Sequence, residues 1–259
     1  MATATASFKE QHLDINGVDT AVFTAGQGKP LVFFHGAGTV TGFDKLLPLA
    51  SDFQLIVAHH PGYGKSADDT SVSDIHDYVR HHLDVLDRLG VDTFILAGHS
   101  MGGWMASTLC FYAGNRVEKL ILCSPAGLRD KAHPTTDLFS IPDEEFLGWL
   151  TTDMSIFEGH FEVPPTPAFL AGVYRENTST ARIMWDRNYD PKMSKWLHRL
   201  TMPTLILWGE NDRIVPIEQA AVWKGLIPDS TLKTFANTGH LLIDEKTEVV
   251  EAIRTFAKD

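Results

Sequence analysis

The chain has 259 residues, of which 44% are hydrophobic and 21% are charged, and this composition excludes disordered, collagen-like and coiled-coil proteins. Its 22 basic and 33 acidic side chains leave a formal net charge of −11, which argues against a nucleic-acid partner. No apolar run approaches the length of a membrane span, so we expect no membrane association.

Residues 1–7 are small and polar, without a basic stretch or an apolar core. This pattern predicts a frayed tail rather than a signal peptide. The two cysteines, Cys110 and Cys123, are too few for a disulfide framework in a chain of this length. We therefore expect reduced thiols and a cytoplasmic protein.

Short apolar runs recur along the chain, and none of them alternates with polar residues. Continuous runs of about four apolar residues are typical of strands buried on both faces, as in a parallel sheet covered by helices. The runs are Leu31–Phe34, Leu55–Ala58, Phe94–Ala97, Leu120–Cys123 and Leu205–Trp208.

Helical patterns lie between these predicted strands. From Ile75 to Leu89 apolar residues recur in steps of three and four, and Gly90 follows as a stop signal. A last helix is predicted to begin at Asp244 and to end its apolar face at Ala257. Alternating strands and helices predict an α/β fold with a mainly parallel sheet.

The stretch from residue 127 to residue 196 lacks this alternation. It contains a proline cluster and many large apolar side chains. We interpret it as an inserted helical cap, so that the core comprises residues 1–126 and 197–259 and the cap comprises residues 127–196. The alternative is a set of ordinary surface helices on a single core.

A candidate nucleophile lies in the sequence Gly98-His-Ser-Met-Gly102, between a predicted strand and a predicted helix. This is the context of a nucleophile elbow, a sharp turn that lifts a serine hydroxyl above the sheet edge. Glycine is needed two residues before and two residues after the serine, because a Cβ there would collide with a neighbouring strand or helix. We therefore predict that Ser100 is the nucleophile.

A glycine-rich segment, His35-Gly-Ala-Gly38, follows the first buried strand and allows close approach of the backbone to a ligand. The backbone amides of Ala37 and Met101 are the predicted oxyanion donors. His35 is predicted to form structural hydrogen bonds rather than to act as a base, since it lies at a strand end beneath the turn.

His240 and Asp212 are the predicted base and acid. Both lie in loops after predicted strands, and the order serine, aspartate, histidine is the order expected of this triad on an α/β sheet. Histidine supplies a base near pH 7, and aspartate fixes its tautomer. Glu210 and Asp244 are the rival acids. The other histidines lack the spacing of a metal site, so no metal is predicted.

The chain resembles the α/β-hydrolase family over nearly its whole length. The resemblance implies an eight-stranded, mostly parallel sheet flanked by helices, with a helical cap after the Leu120–Cys123 strand and no metal or organic cofactor. The matching motifs are His35-Gly-Ala-Gly38, Pro61-Gly-Tyr-Gly-Lys-Ser66, Gly98-His-Ser-Met-Gly-Gly103, Trp208-Gly-Glu-Asn-Asp212 and Gly239-His240.

Serine at position 100 separates the chain from the similar haloalkane dehalogenase and epoxide hydrolase branches, which carry aspartate there. The chain looks like capped esterases and the carbon–carbon bond hydrolases of meta-cleavage products. His60 replaces an aspartate that these relatives show just before the Pro-Gly-x-Gly turn. Residues 39–43 lack the asparagine of the carbon–carbon hydrolases, while their cap arginine could be Arg175, Arg182 or Arg187.

We therefore expect hydrolysis of a carboxylic ester of a small to medium apolar substrate through an acyl-serine intermediate. The alternatives are carbon–carbon bond hydrolysis of a meta-cleavage-type diketone and a ligand-binding receptor on a hydrolase fold. The expected partner is a small-molecule substrate, and the oligomeric state stays open. The predicted pocket residues are Gly36, Gly38, Trp104, Trp149 and Trp185.

Overall fold

A computed structural model of the chain describes residues 7–161 and 164–259. Residues 1–6 of the predicted tail lie outside the described residues. The described residues form one sheet of eight strands, numbered here in chain order. They are β1 (Lys9–Ile15), β2 (Val18–Ala25), β3 (Pro30–Phe34), β4 (Gln54–Ala58), β5 (Phe94–His99), β6 (Val117–Cys123), β7 (Thr204–Gly209) and β8 (Ser230–Phe235).

The strand order across the sheet is β1-β2-β4-β3-β5-β6-β7-β8. Strand β2 pairs antiparallel with both β1 and β4, and every other neighbouring pair is parallel. The five apolar runs of the sequence all lie within β3 to β7, in the middle of this order. The prediction of an eight-stranded, mostly parallel sheet is confirmed.

Eight α-helices connect or flank these strands within the described part of the chain. None of the described helices is long and apolar enough to cross a membrane. They are α1 (Ile75–Arg88), α2 (Met101–Ala113), α3 (Phe146–Leu150), α4 (Pro167–Met184), α5 (Met193–Trp196), α6 (Glu218–Leu226), α7 (Leu242–Glu245) and α8 (Thr247–Lys258). Short 3₁₀ helices span Asp44–Ser51, Gly114–Arg116, Leu138–Ser140, Met154–Phe157 and Leu197–Arg199.

Helices cover both faces of the sheet and give it two apolar cores. Side chains of successive strand residues point to opposite faces. In β5, Leu96 packs in the core that includes α1 and α2, whereas Ile95 and Ala97 pack in the core that includes α8. Burial on both faces explains why these strands read as continuous apolar runs.

The predicted start of the first helix agrees with the structure, whereas the predicted start of the last helix does not. Helix α1 begins at Ile75, where the Asp74 carboxylate accepts a hydrogen bond from the Asp77 amide. The single predicted last helix is wrong, because Lys246 adopts an extended conformation and divides it into α7 and α8. Asp244 therefore lies within α7 and does not begin the last helix.

Between β6 and β7 the described residues form helices and turns and no strand. A single bridge joins Gly127 to Tyr189, where the Asp190 amide also donates to the Gly127 carbonyl at 2.8 Å. We refer to residues 128–188 as the excursion. The division of the chain at residues 126 and 196 stays a prediction.

Candidate active site

Ser100 lies in a turn between β5 and α2, with φ 55° and ψ −119°. A positive φ is unfavourable for a residue with a Cβ and persists only where surrounding contacts enforce it. The Ser100 amide donates to the Cys123 carbonyl at 2.9 Å. Its carbonyl accepts hydrogen bonds from the amides of Gly103, Trp104 and Ala126. These main-chain contacts hold the strained turn that the sequence predicts for a nucleophile.

The glycines on either side of Ser100 lie where no side chain fits. A Cβ on Gly98 would lie 2.2 Å from the Gly102 carbonyl oxygen. A Cβ on Gly102 would lie 2.0 Å from the carbonyl oxygen of Phe34, in the neighbouring strand β3. Both contacts are with backbone, which cannot move aside without displacing the sheet or the helix.

His240 and Asp212 form a buried hydrogen-bonded pair. His240 Nδ1 lies 2.8 Å from Asp212 Oδ2, and the two residues are 3% and 8% exposed. Asp212 Oδ1 accepts hydrogen bonds from the amides of Ile214 and Val215, each at 2.9 Å. Because a carboxylate oxygen only accepts hydrogen bonds, His240 Nδ1 is the donor and carries the proton. Nε2 is left as the basic nitrogen.

The rival acids make other contacts. Glu210 is exposed, and its carboxylate accepts a hydrogen bond from the hydroxyl of Thr234 at 2.8 Å. Asp244 lies in α7, where burial raises the pKa of its carboxyl group to about 6. Among the described residues, neither carboxylate is hydrogen-bonded to His240. The structure thus pairs Asp212, rather than either rival, with the imidazole.

His99 connects the serine turn to the histidine loop. Its Nε2 donates to the His240 carbonyl at 2.8 Å, and the two rings lie 4.8 Å apart. Burial, followed by the nearby His240, lowers the pKa of His99 to about 3, so its ring is neutral. Sequence reasoning assigned His99 no role, although it occupies the variable position of the recognised turn. Within the described residues, the Ser100 hydroxyl itself forms no hydrogen bond to His240.

Residues 35–39, named here the oxyanion loop after the role predicted for Ala37, follow β3 and approach the serine. A Cβ on Gly36 would lie 3.3 Å from the Ser100 Cβ, which explains the glycine there. Ala37 and Ser100 line the same cavity. Met101 is buried at the first position of α2, where backbone amides are free to bind an anion. The donor roles of the Ala37 and Met101 amides stay predictions.

His35 is buried in a network of histidines. Its Nε2 accepts a hydrogen bond from the His60 amide at 3.1 Å, and its Nδ1 donates to the Gly36 carbonyl at 2.7 Å. His60 Nε2 donates to the His35 carbonyl, so His60 Nδ1 accepts from His82 Nε2 at 2.6 Å. Every ring nitrogen of His35 and His60 therefore has a structural partner. The part of the chain that the structure describes holds no group of three or more metal-ligating side chains suited to an ion.

A narrow cavity of about 20 Å³ opens beside Ser100. It is roughly large enough for one water molecule. Its walls come from the oxyanion loop, the serine turn, the excursion and the loop after β7. The lining residues are Ala37, Ser100, Ala126, Thr135, Thr136, Asp137, Leu138, Phe139, Met184, Asn188, Ile214 and Val215.

None of the five predicted pocket residues lines this cavity. Trp104 is buried in the core, where its ring occupies the space a Gly127 side chain would need. Trp149 stacks beneath the Arg213 guanidinium at 4.0 Å, and Trp185 is 71% exposed. The other two are glycines: Gly36 is buried against the serine turn, and Gly38 is exposed.

Sequence reasoning missed most of the lining residues. Ile214 and Val215 could have been found, because they follow Asp212 by two and three residues and donate their amides to it. Residues 135–139 carry no motif that separates them from ordinary loop residues. Met184 ends helix α4 and reaches the cavity only because of the way the excursion folds over the sheet edge.

A model of the alpha/beta hydrolase family matches residues 31–253. The chain is 25% identical over 261 residues to a 2-hydroxy-6-oxo-6-(2'-aminophenyl)hexa-2,4-dienoic acid hydrolase of Metapseudomonas resinovorans, an alignment that covers 94% of this chain and 88% of that protein. It is 28% identical over 242 residues to a pimeloyl-(acyl-carrier protein) methyl ester esterase of Legionella pneumophila, covering 83% of this chain and 89% of that protein.

The structure also resembles solved structures. A serine hydrolase involved in carbazole degradation, the CarC enzyme, superposes with a TM-score of 0.79 at 23% sequence identity. The superposition covers 97% of this chain and 99% of that chain. At this level of identity the likeness shows a shared fold.

Proposed function

Because the chain belongs to the alpha/beta hydrolase family, we propose that it is a serine hydrolase acting on carboxylic esters of small to medium, apolar, uncharged substrates. Support comes from one arrangement: the buried His240–Asp212 pair lies at the same sheet edge as the strained turn of Ser100. His99 joins the two loops through the His240 carbonyl. This arrangement suits acyl transfer through a covalent acyl-serine intermediate.

In the first half of the reaction, Ser100 Oγ attacks the ester carbonyl while His240 Nε2 accepts the hydroxyl proton. The negative charge that develops on the carbonyl oxygen is stabilised by the amides of Ala37 and Met101. Asp212 stabilises the imidazolium that forms. The proton then passes from His240 to the leaving alcohol, and the carbon–oxygen bond of the ester breaks to leave the acyl-serine.

In the second half, a water molecule replaces the alcohol. His240 removes a proton from this water as its oxygen attacks the acyl-serine carbonyl. The same two amides hold the second oxyanion. The bond to Ser100 Oγ breaks, Oγ recovers its proton from His240, and the carboxylic acid leaves. Every proton is returned, so the cycle needs only ester and water.

The cavity lining favours an uncharged substrate. Among the described residues, no lysine or arginine lines the cavity, whereas Asp137 does. Arg175 instead donates to the Gly64 carbonyl, Arg182 pairs with Asp68, and Arg187 is exposed. A substrate carboxylate would therefore lose hydration without gaining a cationic partner, which is unfavourable. A neutral ester has no such penalty.

Carbon–carbon bond hydrolysis is the second candidate function. It is favoured by the similarity to the 2-hydroxy-6-oxo-dienoic acid hydrolase of Metapseudomonas resinovorans, which aligns over most of both chains. The same serine, histidine and aspartate would serve. Against it stands the cavity lining, which includes no lysine or arginine from the described part of the chain, because such dienoic acids are carboxylates.

Active-site labelling with a fluorophosphonate probe, followed by hydrolysis of p-nitrophenyl esters from acetate to octanoate, tests the proposal. We expect the wild-type protein to be labelled and to hydrolyse the short esters, and we expect Ser100→Ala to do neither. Ser107→Ala is the matched control, since it removes a hydroxyl from α2 that donates to the Gly103 carbonyl and does not line the cavity.

Equal labelling of wild type and Ser100→Ala, or no labelling and no turnover in the wild type, would reject the serine-hydrolase proposal. The second case would support a ligand-binding receptor. Faster turnover of a 2-hydroxy-6-oxo-dienoate than of every ester would reject the ester specificity and support the second candidate.

A further inference from the structure

We propose that Glu176, on helix α4 of the excursion, is a positioning residue that holds the oxyanion loop so that the Ala37 amide faces Ser100. This inference rests on the proposed function, because it concerns the amide that would stabilise the developing oxyanion. It assigns a part in the reaction to a side chain that does not line the cavity.

The Glu176 carboxylate binds three donors from two different loops. Oε1 accepts hydrogen bonds from the Thr39 hydroxyl at 2.5 Å and from the Gly64 amide at 2.8 Å. Oε2 accepts from the Thr39 amide at 3.2 Å. Hydrogen bonds to a carboxylate are stronger than those between neutral groups. The carboxylate therefore clamps the end of the oxyanion loop to the turn at residues 61–64.

The oxyanion loop has few other restraints beyond Gly36. Thr39 follows Ala37 by two residues, and Gly38 between them is exposed. In the part of the chain that the structure describes, the hydrogen bonds of residues 37–39 are those of Thr39 to Glu176 and one from the Gly42 amide to the Thr39 carbonyl, at 3.0 Å. Gly38 has no Cβ to restrict its backbone, so it does not hold Ala37 by itself, and the loop depends on the contacts of Thr39.

Helix α4 has independent contacts with the core, so loss of the carboxylate would leave the helix in place. The Tyr63 hydroxyl lies 2.8 Å from Thr180 Oγ1, and both side chains are buried. Arg182, two residues beyond Thr180, pairs with Asp68. Replacement of Glu176 should therefore free the oxyanion loop while α4 stays packed on the core. A loss of activity in such a variant would then reflect the position of the loop and not a loss of folding.

The test measures kcat and KM of Glu176→Ala and Glu176→Gln with p-nitrophenyl acetate, beside Asn177→Ala as the control. Asn177 is the exposed neighbour of Glu176 on the same helix. We expect kcat to fall about 10- to 100-fold, less than the roughly 10²–10³-fold loss of an oxyanion donor that is removed outright. KM should change little, and Asn177→Ala should behave as the wild type.

A boronic acid provides a readout that a purely structural role would not affect. Its tetrahedral adduct with Ser100 places an oxygen at the oxyanion donors, whereas butyrate, a reaction product, forms no such adduct. We expect the inhibition constant of butylboronic acid to rise by the same factor as kcat/KM falls in Glu176→Ala. The inhibition constant of butyrate should stay constant, and thermal unfolding should show a folded protein.

Two results would overturn the inference while leaving the proposed function intact. One is a kcat of Glu176→Ala within twofold of Asn177→Ala, in an assay where Ser100→Ala is inactive. The other is an unchanged boronic acid constant despite a lower kcat. A wild-type protein without ester turnover would instead reject the proposed function, and with it this inference.

Discussion

Asp212 presents its two carboxylate oxygens to different partners, and only Oδ2 faces His240 Nδ1, at 2.8 Å. The other oxygen is held by the amides of Ile214 and Val215, the residues that also line the cavity. One side chain therefore orients the proposed base and fixes a wall of the proposed pocket. Disturbing it should affect the proton transfer first, because the described residues give the imidazole no second acceptor for Nδ1–H.

Replacing Asp212 with asparagine should lower kcat about 10⁴-fold, the loss known for the equivalent change in a serine protease. The amide no longer holds the proton on Nδ1, so Nε2 is no longer reserved as the base. Ester hydrolysis by purified protein measures this effect. Glu210→Gln, in the same loop, should keep wild-type activity, because Glu210 is exposed and binds Thr234. Equal losses in both variants would contradict the assignment of the acid.

Gly102→Ala should destabilise the protein by several kcal/mol or prevent its folding. The new Cβ would lie 2.0 Å from the Phe34 carbonyl oxygen, which is backbone at the end of β3. Urea unfolding measures the change in free energy. Gly172→Ala is the control, since nothing lies within 4 Å of its Cβ on α4. It should be neutral or should stabilise the protein by about 0.5–1 kcal/mol. Equal stability of the two variants would contradict the packing described for the serine turn.

Buried histidines should make the protein lose stability in mild acid. Burial lowers the pKa of His81 to about 4, while the unfolded chain takes up a proton near pH 6.5. The unfolded state then binds more protons, so the stability contributed by neutral His81 is complete above pH 6.5 and declines from there down to about pH 4. Each such histidine adds a slope of about 1.4 kcal/mol per pH unit in that window.

His81→Gln should reduce the slope of stability against pH by the amount due to one proton, because glutamine does not titrate. Glutamine can still donate to Thr20 Oγ1, so the buried contact is kept. Urea unfolding between pH 7 and pH 4.5 measures the slope. His12 is the contrast: its hydrogen bonds to Asp19 and then Glu10 raise the pKa of its exposed imidazole, so His12→Gln cannot reduce the acid loss. An unchanged slope in His81→Gln would show that this imidazole is charged in the folded protein.

Met184→Ala should shift the substrate preference toward longer acyl chains. The side chain is buried at the end of α4 and lines a cavity of only about 20 Å³, so its removal widens the space beside Ser100. We expect the ratio of kcat/KM for hexanoate to that for acetate to rise about 10-fold or more. Met154→Ala, which changes an exposed methionine of the same segment, should leave the ratio unchanged. A constant ratio in Met184→Ala would place the acyl group elsewhere.

The sheet and the serine turn could be predicted because their signals are local. Strands buried on both faces must be apolar throughout, and a strained turn between Gly98 and Gly102 excludes any Cβ at those positions. The pairing of Asp212 with His240 followed from a rule about which loops meet at the sheet edge. These inferences depend on short segments and on the order of strands.

The cavity lining and the contacts of Glu176 could not be predicted, since both depend on how the excursion folds over that edge. Trp185 matches the pattern of a pocket residue by size, yet it points outward, and Met184 beside it points inward. Nothing in the sequence around Glu176 indicates that Thr39 is its partner, 137 residues away. The break at Lys246 was missed because Asp244 and Glu245 match the acidic first turn of a helix, whereas they belong to the short α7.

The bridge between Gly127 and Tyr189 brings both ends of the excursion to one place, about 5 Å apart. The connection that then returns to β7 packs as part of the core, with Met193 and Leu197 fully buried. The segment between the two bridged residues thus begins and ends at one point, and the pairing of the strands does not restrict its length or sequence. A change in this segment can therefore alter the wall beside Ser100 without altering the pairing of the strands, provided that the contact of Glu176 with Thr39 is kept.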